Sequence, residues 1–247
     1  MKDTIALIDG DSLIYYEMGK PTLEEALNSL DGRLHQMFEM TQATKYAGFL
    51  TTGKCFRYAA AITQPYKGNR KKGDKPIIFP AIKEYLKQEW NFLSIPELEA
   101  DDLVSIYHNE NTVICSPDKD VLYQNVGEHY NYGKAEKVIC MDGYDIQFLW
   151  TQMLMGDSTD GIQGIPKVGP KTADTWLQNI PNDDMPVFVL NKYIEKFGYA
   201  EGISKFAETF KLVYMLKSKE DVMRETGILL GDLITYDVPL TPEEEWL

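Results

Sequence analysis

The chain has 247 residues, 44% of them hydrophobic and 12% aromatic, which is ample for a packed core and excludes a disordered chain. Its 25 Lys and Arg against 38 Asp and Glu give a formal net charge of −13, which argues against a nucleic-acid partner unless the acids are gathered where cations cancel them. The 18 Gly and 12 Pro show no period, which excludes collagen-like and low-complexity architectures.

No apolar stretch approaches the ~20 residues of a membrane span. The first residues run straight into a strand pattern with no leader-like segment, and Cys55, Cys115 and Cys140 lie in apolar, widely separated contexts. The cysteines read as reduced core residues, and the expectation is a cytoplasmic protein with no membrane partner.

Residues 4–8 form a short apolar run ending in Asp9-Gly10-Asp11, a buried strand opening into a turn. Thr22 with Glu25 is a capping-box signature for a helix reaching about residue 44. Further strands are expected at 46–50, 91–95 and 112–115, with helices at 77–90 and 98–108. Such alternation predicts βαβ units and a mainly parallel sheet, whose ligands bind at the carboxyl ends of strands. Past about residue 142 the pattern is helical, at 144–155, 171–179, 186–197 and 203–216. The expected division is an α/β core over 1–150, with a basic arch or loop at about 66–91, and a helical region over 151–247.

Two features stand out chemically. Lys54, Arg57, Lys67, Arg70, Lys71, Lys72 and Lys75 face only one acid, Asp74, within a strongly acidic chain. That contrast favours a phosphate-contacting segment over a merely solvated loop. The second feature is four acidic groupings, each at a strand end or helix start: Asp9; Glu99-Ala100-Asp101-Asp102; Asp118-Lys119-Asp120, led by Ser116-Pro117; and Asp157-Ser158-Thr159-Asp160. Any one of them reads equally well as a helix cap or a solvated acid. Parallel strand order would bring them to one sheet edge, where they would repel one another without cations. Hard oxygen donors of this kind suit Mg²⁺ or Mn²⁺. Setting aside Asp9, Glu99, Asp101, Asp102, Asp118, Asp120, Asp157 and Asp160 takes the net charge from −13 to −5. Residues 161–173 then form a Gly-rich hairpin, with Pro170 opening a helix and Lys167 and Lys171 alongside. This is a device for holding a phosphate backbone without reading bases. His35, His108 and His129 read as structural or solvated, and no serine has a convincing base nearby.

In this order, Ile8-Asp9-Gly10, Tyr66-Lys67-Gly68-Asn69-Arg70, Glu99-Ala100-Asp101-Asp102, Ser116-Pro117-Asp118-Lys119-Asp120 and the run from Gly156-Asp157 to Ala173 resemble the 5′-nuclease superfamily. These are 5′→3′ exonucleases and flap endonucleases, and the likeness is to the bacteriophage and bacterial type. The resemblance implies a PIN-like, mainly parallel sheet flanked by helices, a short helical arch or loop, and a helical C-terminal part carrying a helix-three-turn-helix. It implies two Mg²⁺ ions, replaceable by Mn²⁺, held by the eight acids named above, with Lys67 and Arg70 at the scissile phosphate. Tyr15 matches a nucleotide-stacking position, and reads equally as a helix-core aromatic. DNA contacts are expected from Arg57, Lys71, Lys72, Lys75, Gly161, Gly164, Lys167, Gly169, Lys171 and Thr172, with K⁺ bound at the hairpin.

The activity implied is two-metal hydrolysis of DNA phosphodiesters near 5′ ends in replication or repair. The expected substrates are duplex ends, nicks and 5′ flaps, extending to RNA primers on DNA, and the expected state is a monomer. One position departs from the pattern: the family's usual Asp at the end of the second strand is Thr51 or Thr52 here. That departure keeps open a non-catalytic DNA-structure-binding homologue. A PIN-type ribonuclease and an α/β small-molecule phosphatase stand further off, because neither has a use for the hairpin.

Overall fold

The computed structural model describes residues 3–69, 76–140 and 144–239. Arg70, Lys71, Lys72 and Lys75, named above as phosphate contacts, lie outside the described residues. In chain order the elements begin with β1 (Ile5–Asp9), α1 (Gly10–Glu17), α2 (Leu23–Thr41), β2 (Lys45–Phe49), α3 (Arg57–Ala60), α4 (Ile78–Gln88) and α5 (Ala100–Ile106). Next come β3 (Thr112–Cys115), α6 (Lys119–Tyr123), β4 (Gly127–Asn131), β5 (Glu136–Cys140), α7 (Tyr144–Met155), β6 (Gly156–Asp157) and β7 (Ile162–Gln163). The rest are α8 (Pro170–Leu177), α9 (Met185–Phe197), α10 (Tyr199–Val213), α11 (Lys219–Thr226) and β8 (Tyr236–Asp237). Among the described residues no helix is long and apolar enough to cross a membrane.

The chain divides into two compact units. Unit 1 comprises Met1–Gly53, Asp74–Cys140 and Leu216–Leu247, and unit 2 comprises Lys54–Gly73 and Met141–Met215.

Unit 1 is built on a six-stranded sheet in the order β5-β4-β3-β1-β2-β8. Strands β4, β3, β1 and β2 run parallel, while β5 and β8 close the edges antiparallel. The parallel centre reads as continuous apolar runs because both faces are covered: Ala6, Leu7, Ile8, Ala47, Phe49, Ile114 and Cys115 are all buried. Helix α2 forms as its sequence dictates. Thr22 accepts the Glu25 amide at 3.2 Å, and Ala26, Leu30, Leu34, Met37 and Phe38 fall on one buried stripe. Phe38, Tyr46 and Trp90 pack as an aromatic cluster, and Asp31 accepts from both Tyr85 and Trp90, tying α2 to α4.

Three local differences from the sequence reading have physical causes. Asp9-Gly10-Asp11 opens a helix, not a free turn, because the Asp9 carboxylate caps α1 through the Ser12 amide at 3.3 Å. The expected strand at 91–95 is reduced to a single parallel bridge, Phe49 to Leu93. Asn91 and Glu97 at positive φ (51° and 66°) and Pro96 prevent a longer ladder. The β4–β5 hairpin is a polar edge whose outer strand is mostly exposed, so it leaves no apolar alternation to detect.

Unit 2 is helical apart from the short β6–β7 hairpin. Its core joins Trp150, Met153, Leu154, Ile162, Ile165, Ala173, Leu177, Val189, Tyr193 and Leu212 with Cys55 and Tyr66. Gly202 permits the close crossing of α9 and α10, since a Cβ there would stand 2.7 Å from the Ile194 backbone.

Candidate active site

The site in unit 1 follows from strand order. The chain passes from β1 to β2 on one side and returns to β3 on the other, so the carboxyl ends of β1 and β3 flank a switch point where a crevice opens. In register, Asp9 stands opposite Phe49, and Ile8 opposite Cys115. The parallel order therefore sets Asp9, Thr51 and Ser116 at one edge.

Hydrogen bonds join these ends. Asp9 is fully buried, and its second oxygen accepts the Ser116 hydroxyl at 2.9 Å. The Ser116 hydroxyl oxygen also accepts the Asp118 amide at 3.1 Å, and Asp118 caps α6 by accepting the Asp120 amide at 2.8 Å. From beneath, the Tyr132 hydroxyl donates to the Asp9 carbonyl at 2.9 Å. The first turn of α5 reaches the same edge, where the Ala100 amide donates to the Thr51 hydroxyl at 3.0 Å. Glu99 is buried at the head of that helix.

Asp102, expected among the metal ligands, is buried with both carboxylate oxygens engaged. One accepts the Glu99 amide at 3.4 Å as half of a capping box, and the other accepts the Leu216 amide at 3.2 Å. Asp101 and Asp120 are half-buried.

Electrostatics mark this edge. Burial, followed by the neighbouring charge of Asp11, pushes the Asp9 carboxyl up to about 6. Burial likewise raises Asp11, with the Glu99 charge adding to the rise and Lys83 opposing it. Asp11 was not among the residues singled out from sequence. Its carboxylate accepts the Thr51 amide at 3.2 Å, a contact across 40 positions that no local spacing announces.

In unit 2, Lys67 and Asp160 come together. The Lys67 amide donates to the Asp160 carbonyl at 2.7 Å, and its ammonium lies 3.8 Å from the Asp160 carboxylate. Tyr66 donates its hydroxyl to that carboxylate at 3.1 Å and lies under the Lys67 ammonium. Asn69 donates to the Ser158 carbonyl, and Asp157 accepts the Thr159 amide at 2.7 Å.

The hairpin depends on its glycines. Gly156 and Gly161 adopt φ of 75° and 71°, and a Cβ on Gly164 would collide with the Gly156 backbone. Gly169 opens α8 with open space beside it, Thr172 is half-buried, and Lys167 and Lys171 are exposed.

Two expected DNA contacts are placed differently from each other. Tyr15 is 47% exposed on α1, with its edge against Phe79. Arg57 is buried, and its guanidinium donates to the carbonyls of Leu212 at 3.2 Å and Tyr214 at 2.9 Å. A guanidinium spent on a helix end braces the fold; counting charge along the basic run could not reveal that.

No family model matches the chain. A 5′-3′ exonuclease of Aquifex aeolicus is 28% identical over 98% of this chain and 86% of its own length. The flap endonuclease Xni of Shewanella woodyi is 26% identical over 71% of this chain and 77% of its own. A bacteriophage T5 flap endonuclease, crystallised with DNA and metal ions, superposes with a TM-score of 0.65 at 17% identity, covering 89% of this chain and 92% of that one. The chain is similar to 5′-3′ exonucleases and flap endonucleases over most of its length, and its fold is that of the T5 enzyme.

Whether the residues of this chain suit divalent cations is a question of donor chemistry. Among the described residues no three carboxylates, histidines or cysteines are gathered around one point. Mg²⁺ does not require such a cage, because it keeps several waters and binds through one or two carboxylates together with substrate phosphates. The edge of unit 1 offers hard oxygen donors in Asp9, Asp11, Glu99 and Asp118. Burial is the larger cause of the upward push on Asp9 and the charge of Asp11 the smaller, and a cation there would favour the ionised form. The donor set fits.

Proposed function

We propose that this protein is a structure-specific 5′→3′ exonuclease or flap endonuclease that hydrolyses DNA phosphodiesters near 5′ ends in replication or repair. The observation that carries the reading is the buried Asp9, linked through Ser116 to Asp118 at a switch point of the parallel sheet. Asp9, Glu99, Asp101, Asp102, Asp118 and Asp120 of unit 1 are the residues that would hold Mg²⁺, or Mn²⁺ in its place. Bound there, divalent ions supply an activated water and stabilise the leaving oxygen. Lys67 neutralises charge developing on the phosphate, a role shared with Arg70.

The hairpin and the amino end of α8 would hold the duplex backbone through backbone amides, Lys167 and Lys171, and K⁺ would bind at the hairpin. Tyr15 offers a stacking face to a base at the 5′ end. The protein works as a monomer in the cytoplasm, on duplex ends, nicks, 5′ flaps and RNA primers annealed to DNA.

The test uses 5′-labelled blunt duplex, nicked duplex and single-flap DNA with Mg²⁺, Mn²⁺ or EDTA. Cleavage near the 5′ end with metal and none with EDTA is expected, and product lengths separate trimming from flap excision. Asp118→Asn should abolish cleavage while keeping DNA affinity.

Thr51 gives a specific reason to weigh a second reading, a non-catalytic DNA-structure-binding protein. Thr51 or Thr52 brings no charge where the resemblance implies a carboxylate, and the Thr51 hydroxyl oxygen accepts the Ala100 amide. Such a protein would bind flaps and leave them intact with either metal.

A further inference from the structure

The segment that carries Lys67 is held at three places within unit 2. At its start, Arg57 of α3 donates to the carbonyls of Leu212 and Tyr214, at 3.2 and 2.9 Å. At its end, the Lys67 amide and the Tyr66 hydroxyl both meet Asp160, at 2.7 and 3.1 Å, and Asn69 donates to the Ser158 carbonyl. Between these anchors the chain is irregular, and there a single side chain of α10 gathers it. One carboxylate oxygen of Glu208 accepts the Ile62 and Thr63 amides, each at 2.6 Å, and the other accepts the Thr63 hydroxyl at 2.6 Å.

Three donors from two adjacent residues on one carboxylate make a clamp, and hydrogen bonds to an ionised acceptor are roughly twice as strong as neutral ones. The mount of that clamp is firm. Thr209, the next residue of α10, is buried and donates its hydroxyl to the Gln163 carbonyl at 3.3 Å, and the Gln163 side chain donates to Gln64 at 2.8 Å. Glu208 and the hairpin that carries Asp160 therefore belong to one frame. Lys67 itself sits at a φ of 55°, a left-handed conformation that a lysine holds only where its surroundings fix it.

We infer that Glu208 is the positioning residue of the Lys67 segment. By clamping Ile62 and Thr63 to α10, it fixes the turn in which the Lys67 ammonium is held ready for a phosphate. The inference rests on the role given to Lys67 above and adds to it a residue that no spacing in the sequence singles out. The rival account is that Glu208 only stabilises the loop, with no bearing on Lys67.

The test follows single-turnover cleavage of a 5′-labelled flap substrate with Mg²⁺ by the full chain, in the wild-type and Lys67→Ala backgrounds. Glu208→Ala should slow the wild type about tenfold while DNA affinity stays within about threefold. In the Lys67→Ala background it should slow cleavage by less than about twofold, because the group through which it acts is gone. Glu208→Gln keeps an oxygen for the two amides and should recover most of the rate. Hydrogen exchange of the DNA-free chain gives a readout apart from activity: in Glu208→Ala the Lys67 amide should exchange about tenfold faster. An unchanged cleavage rate or an unchanged Lys67 amide in Glu208→Ala overturns the inference. So do equal losses in the two backgrounds, the signature of a merely structural role. A wild-type chain that leaves the substrate intact defeats the functional reading and this inference with it, whereas any of the other contrary results beside normal wild-type cleavage defeats only the role of Glu208.

Discussion

Asp9 shows what one buried carboxylate costs before any cation arrives. Its value rises from the ordinary 3.8 to about 6, so in the metal-free protein this group contributes most to stability below about pH 4, and that contribution is lost as pH rises through 6. At neutral pH it is ionised, and the hydrogen bonds from Ser12 and Ser116 offset only part of the cost of burial. Asp9→Asn should therefore stabilise the metal-free protein at pH 7 by about 2 kcal/mol, or several degrees in Tm, and leave it nearly unchanged at pH 4. Urea melts in EDTA at the two values check the sign. A destabilised variant at pH 7 would mean that the hydrogen bonds from Ser12 and Ser116 outweigh the burial. Lys67 is the second residue whose role separates cleanly. Packed between Asp160 and the Tyr66 ring, its ammonium is held in place before substrate arrives. Lys67→Ala should lower single-turnover cleavage by about two orders of magnitude while DNA affinity stays within about threefold. The reverse pattern, read by anisotropy and quench-flow, would reassign it to docking.

At the scale of elements, α1 begins where it does because Asp9 caps it and Gly10 lies against β2. Gly10→Ala would force the helix off the Phe49 carbonyl, which is backbone and cannot swing aside. About 1–3 kcal/mol of destabilisation is expected. Urea melts of the variant test it. On β4, His129 is buried and donates from Nε2 to the Asn125 carbonyl at 2.6 Å, which leaves Nδ1 bare and without a partner. Burial chiefly, with the charges of His108 and Lys217, lowers it to about 4. Below its unfolded value of 6.5 the unfolded chain takes up a proton that the folded one refuses, so stability falls as pH drops from 6.5 towards 4, opposite in direction to Asp9. Asp9→Asn and His129→Gln variants should tilt the pH profile in opposite senses.

What the sequence made legible at these two scales was whatever is local. Short apolar runs closed by an acid marked β1 and β3, the Thr22 cap marked α2, and the 161–173 run marked the hairpin. What it concealed was long-range. The burial of Arg57 depends on carbonyls 155 and 157 positions away, and the pairing of Asp11 with Thr51 spans 40. The full engagement of Asp102 depends on Leu216, far down the chain. Spacing records which acids are near a helix start and not where their oxygens are spent.

For the whole molecule, the net charge of −13 is unevenly shared. Unit 1 holds 13 Lys and Arg against 28 Asp and Glu, and unit 2 holds 12 against 10, so unit 2 is net positive by two while unit 1 stands at −15. An acidic protein can hold DNA if the contacts come from the positive unit and the acidic one is charged with cations; the chain average hides this. Binding should then weaken steeply with salt and be nearly indifferent to base sequence, because backbone amides and lysines at a helix start read phosphates alone. Each phosphate contact contributes roughly 0.9 to the slope of log affinity against log salt on duplex DNA. Replacing both exposed lysines of the hairpin region, Lys167→Ala with Lys171→Ala, should lower that slope by about 2 and leave the Mn²⁺ affinity of the free protein unchanged. Anisotropy titrations at several KCl concentrations, on two flap substrates of unrelated sequence, measure both the slope and its indifference to bases. A slope unchanged by the double substitution would place the duplex elsewhere on the protein, and a large gap between the two sequences would mean that bases, and not only phosphates, are being read.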